Sequence, residues 1–427
     1  MRKKNILLKY KRVVRGAGEI YSLDDFGENG LINNYFSREE TLEFNGYKLK
    51  IFTGEFWTAK QRQGASIHEI SYRACFKPQL PQYFIKRLTN ANSIIFDPFM
   101  GRGTTIVESA LNGRVSKGMD VNPLSEILTY PRINIPKTQD ILDRLDLLEL
   151  NDNSRADIDL SMFYHPRTEM ELVSLRNYLI YKKEGESEDR VDKWIRMVAT
   201  NRLTGHSAGF FSVYTMPPNQ ATTQEEQKRI NEKKKQIPEY RDIKKIIKKK
   251  TLSLLRDFHD QSVIDRINKI GEQSELLTAD SQFASRYIED ESIDLTVTSP
   301  PFLNIVQYSK DNWLRCWFNN IDISDIEKKI FITGNLDKWR QFIKNTLRQL
   351  FIITKKGGYV AFEVGEVKNG SINLDEYVAL DGIGSGFDVI GIFINKQHFT
   401  KTSNIWGVEN LKKGTNTNRI VLFRKGD

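Results

Sequence analysis

Cysteine is nearly missing from this chain: Cys75 and Cys316 are the only two in 427 residues. That count excludes a disulfide framework and a thiolate zinc site, and a reducing cytoplasm suits it. Both thiols read as small buried hydrophobes. Long apolar runs are missing too. No stretch approaches the roughly 20 apolar residues a membrane helix needs, and the piece Ile6 to Leu8 behind the basic Met1-Arg2-Lys3-Lys4 is too short for a signal peptide. A cytoplasmic protein without a membrane partner is expected, nucleoid-associated if its source is bacterial. Acidic balance is also lacking. The net charge of +9 and pI near 9.2 favour a polyanionic partner, for which nucleic acid is the natural candidate.

Against these absences stands Thr298-Ser299-Pro300-Pro301-Phe302, directly after the apolar run Ile293 to Val297. Proline fixes its own φ and holds the preceding residue extended, and neither Pro300 nor Pro301 can donate a backbone hydrogen bond. The result is an acceptor-rich turn. Its carbonyls and the Ser299 hydroxyl can receive N–H groups, and Phe302 offers an aromatic face, so the turn suits a planar group bearing an amine.

About two hundred residues upstream, Ser93-Ile94-Ile95-Phe96-Asp97-Pro98-Phe99-Met100-Gly101-Arg102-Gly103-Thr104-Thr105 reads as strand, glycine turn, helix. Gly101 and Gly103 permit positive φ and close approach of a ligand. A second strand from Val115 to Met119 ends at Asp120, and in Rossmann-like folds an acid near that spacing bonds a ribose hydroxyl. A phosphate-binding loop would carry Lys or a fuller glycine run. Here Asp97 closes the strand instead. An acid repels pyrophosphate and suits a cation, so S-adenosylmethionine fits better than a dinucleotide, with Asp97 near the methionine end and Asp120 on the ribose.

Together, Asp97-Pro98-Phe99-Met100-Gly101-Arg102-Gly103-Thr104 and Thr298-Ser299-Pro300-Pro301-Phe302 resemble the amino-group DNA methyltransferases, which methylate N4 of cytosine or N6 of adenine. The resemblance covers roughly residues 65 to 125 and 275 to 425. It implies S-adenosylmethionine as cofactor, double-stranded DNA read sequence-specifically as substrate, and a cognate restriction nuclease as a partner. It places Asp97, Pro98, Phe99, Gly101, Gly103, Thr104, Asp120 and Asn122 at the cofactor. Phe76 and Pro78 would cover the methionine moiety, and Asp280 would meet the adenine amine. Asp280 follows a large insertion that the common segment orders would put after it.

Ser299, Pro300, Pro301 and Phe302 would form the catalytic loop. The Ser299 hydroxyl and Pro300 carbonyl accept the amine protons, and Phe302 stacks on a base flipped from the duplex. No metal is expected. Methylation at ring carbon C5 would need a thiolate, and this loop has none. Within the family, Ser in the first loop position goes with cytosine N4, and Asp or Asn with adenine N6. Two other classes stay open: an RNA or protein amide methyltransferase, and a non-catalytic DNA-binding partner subunit.

The middle of the chain lacks a second strand-glycine-helix pattern and is dominated by polar helices, with helical spacing from Asp140 to Leu150 and Glu169 to Tyr181. It is the candidate reader of the substrate. In the irregular stretch from Asn201 to Gln220, the residues Arg202, His206, Asn219 and Gln220 suit base edges or phosphates. From Lys228 to Lys250 there are eleven Lys or Arg against three acids, a net of 11 − 3 = +8. Lys233, Lys234, Lys235, Lys248 and Lys249 are its phosphate-binding candidates. Trp313, Trp317 and Phe318 read as core before a wall of the base pocket, and Glu363 and Glu366, near a strand end, as structural before functional acids.

The expected fold is α/β: a Rossmann-like methyltransferase sheet with a large, mainly helical insertion. Its parts are an N-terminal arm or subdomain (1–64), the first catalytic part (65–125), the insertion (126–272) and the second catalytic part (273–427).

Overall fold

The computed structural model describes the chain apart from residues 1–10, 16–17, 20–34, 37, 45, 58–63, 74, 151–152, 217–221, 302–307, 368–371 and 397–416. In chain order the strands are β1 (Lys11–Arg15), β2 (Gly18–Glu19), β3 (Tyr35–Phe36), β4 (Arg38–Phe44), β5 (Tyr47–Gly54), β6 (Ile94–Asp97) and β7 (Val115–Asp120). Then come β8 (Glu275–Thr278), β9 (Ile293–Thr298), β10 (Thr354–Val364), β11 (Glu366–Val367), β12 (Ile372–Asn373), β13 (Asp388–Lys396) and β14 (Thr417–Arg424). Ten of them form one sheet in the order β1-β4-β5-β13-β14-β10-β9-β6-β7-β8, and β2 with β3 and β11 with β12 make two small pairs.

The stretch from β8 through β7, β6 and β9 to β10 is parallel, and β14 lies antiparallel between β10 and β13. From β6 the chain moves outward to β7 and β8, then crosses back to β9 on the other side. The carboxyl ends of β6 and β9 therefore flank the point where strand order reverses, the place where open α/β sheets leave a crevice. Apolar side chains on both faces explain why these strands are interior. Phe96 and Ile293 face one core, and Ile95, Leu295 and Val297 face the other.

Helices cover both faces. α1 (Gln79–Leu88) buries Leu80, Tyr83, Phe84 and Ile85 on one. On the other, α12 (Leu336–Ile353) buries Trp339, Phe342, Ile343, Leu347 and Leu350 at helical spacing. Each such side chain contributes about 1.5–3 kcal/mol of transfer free energy. α13 (Leu374–Ile383) packs beside it through Leu374, Val378 and Ala379.

The N-terminal segment differs from the expected arm. β4 and β5 form a hairpin whose second strand pairs in parallel with β13, Ile51 opposite Ile392, so these residues extend the catalytic sheet. Leu42, Leu49 and Ile51 join the same core as α12.

The insertion is helical, as expected. Between β7 and β8 run α3 (Leu124–Ile133), α4 (Thr138–Leu147), α5 (Pro166–Glu184), α6 (Arg190–Arg202), α7 (Gln224–Lys234), α8 (Ile243–Leu254) and α9 (Gln261–Gln273). Its apolar interior is not separate. Trp194, Met197, Ile247 and Ile267 belong to one cluster with Met100 and with Ile106 and Val107 of α2 (Thr104–Leu111), and with Leu314 and Phe318 of α10 (Tyr308–Phe318).

Candidate active site

The glycine turn is built from both sides of the crevice. β6 ends at Asp97, and α2 begins after Gly103, whose φ of +73° is the left-handed conformation that glycine tolerates. A Cβ on Gly103 would lie 2.3 Å from Thr129 Oγ1 of α3, so the close helix approach requires glycine as well. The Met100 amide donates to the Met119 carbonyl at 3.0 Å, which ties the turn to β7. At the carboxyl end of β7, Asp120 accepts from the Gly101 amide at 2.9 Å through one oxygen and from the Asn122 amide at 2.9 Å through the other. Burial raises its carboxyl above the ordinary range, and those amides oppose the shift.

β9 brings the second motif to the same edge. The Thr298 hydroxyl donates to Asp97 at 2.6 Å, and the Thr105 hydroxyl at the start of α2 donates to the Val297 carbonyl at 3.0 Å. Two segments some two hundred residues apart are thus fastened at their functional ends. The loop is braced from below as well, since Trp339 Nε1 donates to the Pro301 carbonyl at 2.8 Å.

Between these pieces lies a solvent-open cavity of about 820 Å³. Pro98 to Arg102, with Thr104, form one wall, and Asp120, Val121 and Asn122 form the next. Ala279, Asp280 and Ser281 enter after β8, and Ser299 and Pro301 after β9. Tyr72, Cys75 and Phe76 cover it from the segment before α1, while Lys329 at the end of α11 (Ile323–Lys329), Ile330, Phe331 and Phe342 close the far side. Phe331 stacks on Phe342 with centroids 4.4 Å apart, and Phe99 tilts against Phe342 at 5.8 Å. These rings make an aromatic, apolar stretch of the cavity wall.

Several expected residues sit elsewhere or do something else. Asp97 is buried within the sheet end, where it accepts from Thr298 and from the Phe99 amide at 3.1 Å; the cavity wall is made by the residues that follow it. Through the Thr298 hydrogen bond it ties the two motifs together. Pro78 caps the start of α1 and faces a neighbouring cavity beside His68, Lys77 and Arg102. Pro300 is buried, so the cavity wall in the loop comes from Ser299 and Pro301. Phe302, Asn219 and Gln220 lie outside the described residues.

In the insertion, Arg202 is turned inward, donating to the Asn201 carbonyl and side chain and stacking over Phe210 at 4.0 Å. Burial lowers its guanidinium to about 10. His206 is exposed beside the same ring. Part of the lysine run is paired with acids: Lys248 to Asp146 at 2.5 Å, Lys245 to Asp242 at 3.3 Å and Lys228 to Asp159 at 3.6 Å. Lys234 sits over the Tyr214 ring at 4.0 Å, and Lys233, Lys235 and Lys249 are exposed. Trp313 and Trp317 brace the insertion, donating to the Thr222 carbonyl and to Asp157.

Arg102 went unread in the sequence although it lies inside the glycine motif. Its guanidinium donates to the Ile70 carbonyl at 2.8 Å and, at longer range, to those of His68 and Phe76, so it holds the segment that roofs the cavity. Phe342 is legible in the sequence as part of a helical apolar stripe that packs on the sheet, and its second place on the cavity wall, like that of Phe331, has no local signal.

Burial lifts Asp97 to about 7 from an ordinary 3.8. The folded chain then holds a proton that the unfolded chain releases from about pH 4 upward. Stability linked to this group is complete below that value and is lost as pH rises toward 7. Asp97→Asn, which cannot ionise, should flatten that decline in a Tm-versus-pH series. An unchanged slope would assign the decline to other groups.

Among known proteins, residues 25–126 match the family model for N6/N4 methyltransferases, described as DNA methylase. The type II methyltransferase M.MjaII of Methanocaldococcus jannaschii is 34% identical over 149 residues, covering 33% of this chain and 28% of that protein's length. The type II methyltransferase M.MvaI of Kocuria varians is 25% identical over 349 residues, covering 73% of this chain and 70% of its own. Among solved structures, an rRNA methyltransferase, AviRa of Streptomyces viridochromogenes, superposes at a TM-score of 0.33 with 11% identity, covering 84% of this chain and 90% of its own. The family match starts at residue 25, so it takes in the β4–β5 hairpin that the motif resemblance left out. Over residues 25–126 the chain is thus similar to the DNA methylase domain of the N6/N4 methyltransferases, and it shares longer, weaker similarity with a type II methyltransferase.

Proposed function

We propose that this chain transfers a methyl group from S-adenosylmethionine to the exocyclic amine of a flipped DNA base, with N4 of cytosine as the acceptor. The observation that carries the reading is the single cavity onto which Asp120, the glycine turn and Ser299 all open.

The wall chemistry fits the cofactor. Asp120 and Asp280 are acids suited to ribose hydroxyls, an adenine amine or an ammonium group, and the Phe99–Phe342–Phe331 surface suits a planar ring. Of the basic side chains on the wall, Arg102 spends its guanidinium on backbone carbonyls, an arrangement poor for pyrophosphate. When bound, the cofactor supplies an electrophilic methyl.

The protein's part is orientation and hydrogen-bond acceptance. An exocyclic amine conjugated with its ring is a weak nucleophile. Accepting its protons frees the nitrogen lone pair, and Ser299 presents a hydroxyl oxygen for that purpose at the cavity wall. Fixing amine and methyl donor in line contributes much of the remaining acceleration. Serine at this position favours cytosine by the family association of the loop's first residue.

The test is incubation of purified protein with isotopically labelled cofactor and unmethylated genomic DNA, followed by nucleoside mass spectrometry. Labelled N4-methylcytosine is the expected product. Labelled N6-methyladenine would replace the base assignment. Cofactor binding without label in DNA would sink the reading in favour of an RNA or protein acceptor, or of a non-catalytic partner.

A further inference from the structure

A serine hydroxyl has one proton and two acceptor sites, so its neighbours decide whether it donates or accepts toward a ligand. For Ser299 that neighbour is Glu363. β9 and β10 run parallel with Thr298 opposite Phe362, which sets Ser299 and Glu363 side by side one residue further on. Glu363 is buried at 7% exposure and hydrogen-bonds the Ser299 side chain. Its Oε1 also accepts from Asn418 Nδ2 on β14, the strand on its other side.

We propose that Glu363 is a positioning residue for the transfer: its carboxylate takes the Ser299 proton in a hydrogen bond, turning the free lone pairs of Oγ toward the cavity as acceptors for the target amine. The inference rests on the reading of Ser299 given above. The carboxylate is acceptor-only, so it dictates the direction of the Ser299 hydrogen bond; a neutral amide at the same place would not. Asn418 holds one carboxylate oxygen in register and leaves the group little freedom to turn away. Burial raises the Glu363 carboxyl, and the two donors, Asn418 and Ser299, act against that by favouring the charged form.

The substitution Glu363→Gln preserves size while introducing a donor. Asn418 still requires an oxygen, which favours turning the new amide nitrogen toward Ser299 and its hydroxyl proton toward the substrate. The full chain would be assayed by single-turnover methyl transfer at saturating DNA and cofactor, with cofactor affinity measured by calorimetry. Glu363→Gln is expected to slow transfer about tenfold to a hundredfold, the value of one charge-assisted hydrogen bond, with cofactor affinity unchanged. In a Ser299→Ala background the same substitution should add no further loss, because its target is gone.

A wild-type rate in Glu363→Gln, or losses that multiply in the double variant, would overturn the positioning role. A parallel loss of cofactor affinity would overturn it too, since that pattern belongs to a structural acid. Full activity in Ser299→Ala alone would instead bring down the reading of Ser299 on which the inference stands.

Discussion

Ser299→Ala is expected to lower methyl transfer by about 10²- to 10³-fold while cofactor affinity stays at its wild-type value. The side chain lies on the cavity wall after β9, on a strand separate from those that carry Asp120 and the glycine turn, so its loss deletes no group of the turn itself. The substitution also spares the fastenings of the loop, which run through Thr298 to Asp97 and through Trp339 to the Pro301 carbonyl. What disappears is an acceptor that matters most as the amine nitrogen gives up its conjugation. Such interactions act on the rate constant more than on ground-state binding. Single-turnover kinetics beside calorimetric cofactor titration would show the split, and equal losses in both would contradict it.

Asp120→Ala should produce the opposite pattern. Its two oxygens receive the Gly101 and Asn122 amides, both at 2.9 Å, so deletion leaves two turn amides without their acceptor and removes the acid that faces the cavity. Each stranded amide costs about 1–3 kcal/mol. We expect cofactor affinity to fall by about 10²-fold or more, with a lower Tm and with transfer partly restored at high cofactor concentration. If Asp120→Ala bound cofactor normally, the ribose assignment would have to move elsewhere on the wall.

How much of this was legible in the chain depended on distance along it. The strand, turn and helix from Ile94 to Leu111 were readable because each is specified by its own residues: an apolar run, two glycines and a helical stripe. The Thr298 to Pro301 turn was readable for the same reason. Pairing was not. Nothing near Tyr47 announces that Ile51 lies opposite Ile392, and a strand-like piece at a chain's beginning looks like an arm until its partner is known.

The order of segments misled in a comparable way. Asp280 seemed misplaced behind the insertion, yet the insertion leaves after β7 and returns at β8, the adjacent strand, so Asp280 reaches the cavity regardless of how much chain intervenes. Charge counting within the lysine run included Asp242 but could not show that Asp146 and Asp159, from outside it, pair with Lys248 and Lys228. Glu363 could be noted as a strand-end acid but not tied to a partner, for a related reason. A lone acid near a strand end has no local signature, and its bearing on Ser299 exists only across a rung of the sheet.

The shared apolar cluster of the insertion and the glycine turn bears on how such a protein can be re-engineered. Met100 and Ile106 touch the same interior as Trp194 and Ile247. A graft that exchanged residues 126–272 for another protein's segment would therefore replace the rear support of the turn along with whatever surface it was meant to alter. Transplants that carry α2 and α10 with the insertion keep that interior whole, and they are the natural unit of exchange in this architecture.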